Sequence, residues 1–314
     1  MKYKNLRDVF WDTIYCAAKK DRNIVIVSAD LGAISLDRFR EEMPSQFINT
    51  GIAEQNAITV AAGLALRGKR VFVYACAPFI HMRCYEQIRL TASGMHIPLT
   101  IVGQGAGFSF WEYGPTHHVL EDFGSMRLLP NMHVFAPSDP VITEKLARYT
   151  LNCNHASYIR MDKLAPPPLF PDESETEIDI GKGFRAAGEK AGDVLLIGCG
   201  NMSRMVEQAA DELMKQGMSC GWLDMFSMTP DPTEFANTIK QFKRVITVEE
   251  HGIIGGLGSL ASEVMCEYQV WHPLKRIACD AREGYWYQYG SRENVEYHYG
   301  LSIDNIVKTA LTME

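Results

Sequence analysis

The feature that most constrains the fold is an alternation of short apolar runs with helix-like stretches. In the first half of the chain, apolar runs at 24–27, 71–74, 97–102 and 133–135 are separated by stretches of helical periodicity, one of which follows Gly51. Strands that alternate with helices favour a mostly parallel sheet with helices on both faces. The sequence therefore predicts an α/β fold.

The alternation stops once, near the middle of the chain. The segment 166–180 contains four prolines and five acidic residues, a composition typical of an exposed linker. The alternation then restarts with a strand at 194–197 and a helix at 202–216. We therefore predict two domains, at residues 1–165 and 181–314, and a chain of 314 residues is long enough for both.

Composition excludes several classes of function. The net charge of −7 argues against a nucleic-acid surface, which needs a basic face. No apolar run reaches the roughly 18–20 residues of a membrane span, and the N-terminal residues lack the apolar stretch of a signal peptide. Eight cysteines lie scattered without a C-x-x-C pair, which is typical of free thiols in a reducing compartment. We expect a cytoplasmic protein that binds neither nucleic acid nor membrane.

The first candidate for chemistry is Glu54, in the segment 51–56 (GIAEQN). It precedes a helix that is apolar on nearly all sides, so its carboxylate is expected at a buried strand end, where the helix dipole favours negative charge. Ligands of open α/β sheets bind at that edge. An ordinary helix-start glutamate is the competing interpretation, but a buried carboxylate needs a partner or a task.

The other candidate segments for chemistry are two glycine-containing loops and two glycine-rich turns. The segment 114–118 (GPTHH) follows 103–107 (GQGAG), and glycines allow a ligand to approach the backbone. Adjacent histidines in extended backbone cannot face one point, so one of the pair is expected to be structural or exposed. Neither has neighbours at metal-ligand spacing, so no metal site is predicted on this chain. The turns 198–202 (GCGNM) and 255–258 (GGLG) are interpreted as tight strand-to-helix turns and not as dinucleotide loops.

Four segments of the first half carry a resemblance to a known family. They are 28–31 (SADL), 51–55 (GIAEQ), 79–85 (FIHMRCY) and 114–118 (GPTHH), the last followed by PNM at 130–132 and APSD at 136–139. In this order they resemble transketolase and its relative 1-deoxyxylulose-5-phosphate synthase, and residues from about 180 onward, including 249–251 (EEH), resemble the C-terminal domain of the same family. The Gly-Asp-Gly motif of the family's diphosphate-binding domain does not occur. The chain thus resembles the C-terminal half of a split transketolase, made of the pyrimidine-binding and C-terminal domains.

The resemblance implies thiamine diphosphate as the cofactor, with Mg²⁺ and the diphosphate held by a partner subunit. Glu54 matches the glutamate that activates the cofactor through its pyrimidine ring. Phe79 and Tyr85 match the aromatic segment beside that ring, and Asp30 matches an early strand-end motif. Met82 stands where transketolase has a second aromatic, and a methionine stacks more weakly.

The resemblance also implies a substrate site. His117 matches the loop histidine that contacts the substrate, and Arg160 matches an arginine that binds substrate phosphate, for which a forked guanidinium is suited. Tyr113 stands where an aspartate that reads a substrate hydroxyl is expected, and Gly105 stands near the place of a further histidine. These departures imply an unusual sugar or sugar phosphate. The implied reaction is transfer of a two-carbon ketol unit from a ketose to an aldehyde.

The implied assembly is an α2β2 heterotetramer, with a homodimer core and a partner that carries the diphosphate-binding domain. Three alternatives stay open. The chain can be a beta subunit of a 2-oxo-acid dehydrogenase, half of a split deoxyxylulose-phosphate synthase that uses pyruvate, or a non-catalytic scaffolding or regulatory subunit. Retention of Glu54 with Phe79 and His117 argues against the last.

Overall fold

The computed structural model describes residues 3–282, 284–288 and 290–313. The chain divides into two compact units. The first comprises Met1–Ser109 and Met126–Ile178, and the second comprises Phe110–Ser125 and Asp179–Glu314. The chain passes between the units after Ser109, Ser125 and Ile178, and the last of these points falls inside the segment that the sequence marks as a linker.

The first unit is a parallel sheet with helices. The elements are α1 (Leu6–Ala18), β1 (Ile24–Ser28), α2 (Ile34–Glu42), β2 (Phe47–Asn49), α3 (Glu54–Leu66), β3 (Arg70–Cys76), α4 (Tyr85–Ile88), β4 (Thr100–Gln104), α5 (Asp122–Arg127), β5 (Met132–Phe135), α6 (Pro140–Thr150) and β6 (Ala156–Met161). Helix α5 begins in the second unit and ends in the first, because the chain passes between them after Ser125. The strands lie in the order β2-β1-β3-β4-β6-β5 and pair in parallel. Short π-helical turns, Phe79–Arg83 and Arg89–Ser93, flank α4.

The core of the first unit forms where α1 packs on the sheet. Phe10 and Trp11 from α1 contact Phe72 from β3 edge to face, and Trp11 contacts Tyr74 with ring centroids 5.1 Å apart. These rings are buried, and edge-to-face packing suits the aromatic quadrupole. Because β1 and β3 are buried, they appear in sequence as continuous apolar runs.

The second unit is a mixed sheet with helices. The elements are β7 (Phe184–Gly188), β8 (Gly192–Gly198), α7 (Met202–Lys215), β9 (Cys220–Met225), α8 (Pro232–Ile239), β10 (Phe242–Gly252), α9 (Leu257–Glu267), β11 (Leu274–Cys279), α10 (Arg292–His298) and α11 (Ile303–Thr312). The strand order is β11-β10-β8-β9-β7, in which β7 pairs with β9 antiparallel and the other pairs are parallel. Helices α8, α10 and α11 carry side-chain caps, such as Asp231 before Pro232.

The predicted fold class is confirmed, since both units carry mostly parallel sheets flanked by helices. The segment 166–180 is not exposed throughout, however. Leu169 and Ile178 are buried, and the Leu169 amide donates a 2.7 Å hydrogen bond to the Asp139 carboxylate. Asp139 also caps α6 through the amides of Val141 and Ile142. One carboxylate therefore fixes both a helix start and the proline-rich segment. Within the described residues, no helix is long and apolar enough to cross a membrane.

Candidate functional site

The candidate cofactor residues lie along one edge of the first sheet. Because the strands are parallel, their carboxyl ends meet at that edge. Asp30 follows β1, Glu54 follows β2, Phe79 follows β3, and Gln104 ends β4. The sequence predicted the first three of these residues and missed Gln104.

Glu54 is the first residue of α3 and its side chain is 3% exposed. The positive φ of Gly51, 69°, allows the tight turn that leads from β2 into the helix. The Glu54 carboxylate accepts a 2.7 Å hydrogen bond from Arg83 Nη1. Burial, and next the charge of Glu54, raises the pKa of both the Cys76 and the Cys84 thiol to about 12. Both thiols are therefore neutral near pH 7 and carry no charge beside the carboxylate.

The aromatic segment has an irregular helical path. Two π-helical turns, on either side of α4, interrupt the helical stretch between β3 and β4, and such turns are frequent at functional sites. Phe79 and Tyr85 are half-buried, whereas Met82 is exposed. The Arg83 guanidinium lies over the Phe79 ring at 4.7 Å from its centroid. This turn therefore connects Phe79 with Glu54 through a residue that the sequence did not single out.

Asp30 takes a different position. It has a left-handed backbone, with φ 58°, and its side chain is exposed. Its carboxylate accepts a 3.0 Å hydrogen bond from Asn49 Nδ2, and Asn49 Oδ1 accepts from the Gly51 amide. Among the described residues, hydrogen bonding therefore joins Asp30 to the turn before Glu54 and not to the Glu54 carboxylate.

Gln104 is the functional candidate that sequence reasoning missed. Its side chain is 3% exposed, and neither amide atom has a hydrogen-bond partner among the described residues. A buried amide without a partner is costly. The glycine before it is required by packing, because a Cβ at Gly103 would lie 2.7 Å from the Tyr158 hydroxyl. The available signal was a polar residue at the end of an apolar run.

The predicted substrate residues do not all fall in one unit. Arg160 lies in β6 of the first unit and is buried. Tyr113 and His117 lie in the segment Phe110–Ser125 of the second unit. No linear pattern assigns that segment, which is flanked by first-unit chain on both sides, to the second unit.

Three rings cluster at the histidine loop. His117 lies 4.9 Å from Tyr113 and 6.0 Å from Phe110, measured between ring centroids. Thr116 Oγ1 lies 2.9 Å from His117 Nδ1. Burial lowers the pKa of His117, and the opposing charge of Glu112 only partly offsets this. His118 is buried, which confirms that the two histidines have different environments.

The second unit also buries an acidic cluster at the carboxyl end of β10. Glu249 accepts hydrogen bonds from the amides of Leu257 and Gly258, at 2.6 and 2.8 Å, at the start of α9. A Cβ at Gly256 would lie 1.9 Å from Glu249 Oε2, so glycine is needed in this turn. The segment 255–258 is thus a strand-to-helix turn, as predicted, and its amides bind a carboxylate of the same chain.

Comparison with known proteins agrees with this architecture. Residues 2–168 match the model of the transketolase pyrimidine binding domain, and residues 187–306 match that of the transketolase C-terminal domain. The chain is 33% identical over 307 residues to one subunit of the apulose-4-phosphate transketolase of Phocaeicola vulgatus, covering 97% of this chain and 96% of the relative. It is 32% identical over 307 residues to a 6-deoxy-6-sulfo-D-fructose transketolase subunit of a Clostridium species, covering 97% and 93%.

The same half-length organisation occurs among solved structures. One described as "Split gene transketolase, inactive beta4 tetramer" superposes with a TM-score of 0.82 at 29% identity, covering 98% of this chain and 97% of the other. This chain therefore belongs to the transketolase family, in which it corresponds to the pyrimidine-binding and C-terminal domains. The predicted resemblance to the C-terminal half of a split transketolase is confirmed.

Proposed function

We propose that this chain is one subunit of a split, thiamine-diphosphate-dependent transketolase that transfers a two-carbon ketol unit from a ketose or ketose phosphate to an aldehyde. The observation that carries the proposal is the Glu54 carboxylate, which is buried at a helix start and hydrogen-bonded at the carboxyl edge of the sheet. Family membership and the names of the relatives support it.

The residues present fit the pyrimidine half of the cofactor. A buried carboxylate suits a ring nitrogen that donates a hydrogen bond, and the Phe79 ring offers a flat apolar face to a planar heterocycle. Gln104 supplies a buried amide whose donor and acceptor have no partner among the described residues. When bound, thiamine diphosphate supplies the nucleophilic carbon and the electron sink for carbon–carbon bond cleavage.

Glu54 is the residue that would activate the cofactor. With the cofactor bound, its carboxylate would hydrogen-bond to the pyrimidine ring nitrogen, and a proton shared between them would favour the tautomer whose exocyclic nitrogen can act as a base. Phe79 and Tyr85 orient the ring, with Met82 in place of a further aromatic, and Asp30 supports the turn before Glu54 through Asn49.

His117 and Tyr113 are proposed to contact the sugar. Because burial lowers the pKa of His117, its ring is neutral near pH 7 and both donates and accepts hydrogen bonds. Tyr113 presents a phenol and a ring face instead of a carboxylate, so we expect a sugar that differs from ordinary pentose phosphates. Arg160 is proposed as a phosphate ligand.

The diphosphate and Mg²⁺ are proposed to be bound by an N-terminal-half partner subunit in an α2β2 assembly in the cytoplasm. The test is calorimetric titration of thiamine diphosphate with Mg²⁺ into this chain alone and into its mixture with the protein encoded beside it. We expect tight binding only in the mixture, and loss of binding when Mg²⁺ is omitted. Tight binding by this chain alone, or a stable complex that binds no cofactor, would contradict the proposal.

A donor screen on the reconstituted complex then separates the reactions. Ketose phosphates should give a shortened aldose without release of CO2, because the two-carbon unit leaves with no carboxylate. Release of CO2 from pyruvate would instead assign the chain to the deoxyxylulose-phosphate synthase or 2-oxo-acid dehydrogenase reaction, and only the latter requires a lipoyl carrier domain.

A further inference from the structure

Arg83 contacts both residues between which the pyrimidine ring is proposed to bind. Its Nη1 donates to Glu54 Oε2 at 2.7 Å, and its Cζ lies 4.7 Å from the centroid of the Phe79 ring. The Arg83 side chain is 46% exposed, whereas the Glu54 side chain is 3% exposed. A half-exposed cation thus pairs with a buried carboxylate.

The guanidinium reproduces the contacts of an aminopyrimidine. It is a flat, delocalised group with N–H donors on its edge and a face that stacks on aromatic rings. A heterocycle held by the same carboxylate and the same phenyl ring must present an N–H edge to Glu54 and a face to Phe79. Arg83 and such a ring would therefore compete for the same contacts and cannot make them at once.

The carboxylate needs a countercharge whenever no ligand is present. The neighbouring Cys76 and Cys84 are neutral near pH 7 because burial, and next the charge of Glu54, raises each pKa to about 12. Among the described residues, Arg83 is the side chain that donates a hydrogen bond to Glu54. A buried carboxylate that loses its partner is strongly destabilising, whereas a half-exposed arginine can rotate into solvent at little cost.

We propose that Arg83 is an exchangeable partner of Glu54. Arg83 pairs with the carboxylate in the cofactor-free subunit and releases it when the pyrimidine ring binds. Arg83 is thus a positioning residue that holds the carboxylate in place before the cofactor arrives. The inference rests on the proposed function, because it takes the incoming ring to be the pyrimidine of thiamine diphosphate. Cofactor binding then includes an exchange of one hydrogen-bond donor for another.

Calorimetric titration of thiamine diphosphate with Mg²⁺ into the reconstituted complex tests the exchange. Arg83→Gln should bind the cofactor about tenfold more tightly than the unmodified complex, since the ligand no longer displaces a charged hydrogen bond. Arg83→Lys, which keeps the charge but not the flat face, should lie between the two. Arg89→Gln, at an exposed arginine on the adjacent turn, should leave the affinity unchanged.

A thermal-unfolding cycle on this chain alone supplies a readout that is independent of the loaded enzyme. Arg83→Gln should lower the melting temperature in the presence of Glu54 and lower it less in the Glu54→Gln background, where no buried charge is left without a countercharge. An equal loss in both backgrounds, or cofactor affinity that is unchanged or weaker in Arg83→Gln, would overturn the inference while leaving the proposed function intact. Failure of the unmodified complex to bind the cofactor would overturn the proposed function and the inference with it.

Discussion

Two buried glutamates, one in each unit, meet their countercharges in different ways. Glu54 in the first unit pairs with Arg83, which is half-exposed. Glu250 in the second unit pairs with Arg292 through two hydrogen bonds, at 2.9 and 2.7 Å, and both side chains are buried. Bidentate arginine–carboxylate pairs are geometrically fixed, whereas a single contact to an exposed side chain is replaceable. The first arrangement suits a carboxylate that binds ligands, and the second suits one that stabilises the fold.

Other buried polar groups of the second unit are also held by protein partners. Asp224 accepts hydrogen bonds from Arg185 Nε and Nη2 and from the Ser203 hydroxyl. His251 donates from Nδ1 to the Gly252 carbonyl, because a carbonyl can only accept, and its Nε2 faces the Gly124 amide. These groups have protein partners on several sides. Their burial therefore carries no argument for catalysis, although their residue types resemble those of an active site.

The largest expected effect follows from Glu54→Gln. We expect turnover of the reconstituted complex to fall by about 10²–10⁴-fold, the range for loss of a group that moves a proton. The melting temperature of the chain should change little, because glutamine is nearly isosteric and can still accept from Arg83. Steady-state kinetics and a thermal scan measure the two quantities, with Glu86→Gln on the exposed side of α4 as the control. Unchanged turnover would remove Glu54 from the mechanism.

For Arg292→Met in the second unit, we expect the main effect to be on stability and not on turnover. This change leaves Glu250 buried without its bidentate partner and should lower the free energy of unfolding by about 3–5 kcal/mol. Urea denaturation of the isolated chain measures the loss. Lys215→Met breaks an exposed pair with Glu212 and should cost less than about 1 kcal/mol. Similar losses for both variants would contradict the distinction drawn between the buried and exposed pairs.

A smaller effect depends on pH and arises at stacked histidines in the first unit. His133 and His155 lie with ring centroids 3.5 Å apart. Burial, and next the charge of His155, lowers the pKa of His133 to about 4. Between pH 6.5 and 4 the unfolded chain takes up a proton that the folded chain does not, so the stabilisation present above pH 6.5 is lost as the pH falls.

His133→Phe should reduce that acid-induced loss by about 1 kcal/mol, a value discounted for solvent screening because the ring is half-exposed. Urea denaturation at a series of pH values between 7 and 4 measures it. His96→Asn, at an exposed histidine with positive φ, is the matched control, because asparagine tolerates that backbone conformation. The same pH profile for His133→Phe and the unmodified chain would exclude the stacked pair as the acid-sensitive element.

The smallest effect on stability is expected for Gln104→Leu. The amide of Gln104 is buried without a partner among the described residues, so replacing it with an apolar side chain of similar size should leave the unfolding free energy unchanged or raise it by about 1 kcal/mol. The same change should weaken cofactor or substrate binding, because the ligand loses the amide. A stability gain without any loss of affinity or kcat/KM would show that Gln104 takes no part in the site.

Much of the fold was predictable because the chemistry of each strand is local. The runs at 24–27, 71–74 and 194–197 are apolar at every position, and they form β1, β3 and β8. Short strands with little apolar character give weaker signals, and Phe184–Gly188 escaped prediction. Phe47–Asn49 is stabilised by pairing with β1, and Phe184–Gly188 by antiparallel pairing with β9. Pairing depends on residues far away in the chain, which local patterns do not contain.

The candidate site, like the fold, was predictable only in part from the sequence. Glu54 and Phe79 were found because they lie in short segments that resemble a family, whereas their roles stay predictions. Arg83 belongs to such a segment too, but an arginine on a helix is ordinarily solvated, and only the structure brings it onto Glu54. Gln104 is visible in the sequence as a polar residue at the end of an apolar run, but nothing in a sequence distinguishes an amide that finds a partner from one that does not.

By itself, the sequence determined the α/β class, the repeat of strand and helix, the family, and the glutamate on which activation is proposed to depend. These follow from side-chain periodicity and from short motifs, which are properties of neighbouring residues. The tertiary structure alone decided that the histidine loop belongs to the second unit, that Asp139 holds the proline-rich segment, and that the countercharge of Glu54 is exposed while that of Glu250 is buried. The physical reason is that burial and partnership are set by which distant segments pack together, and that packing depends on the whole chain.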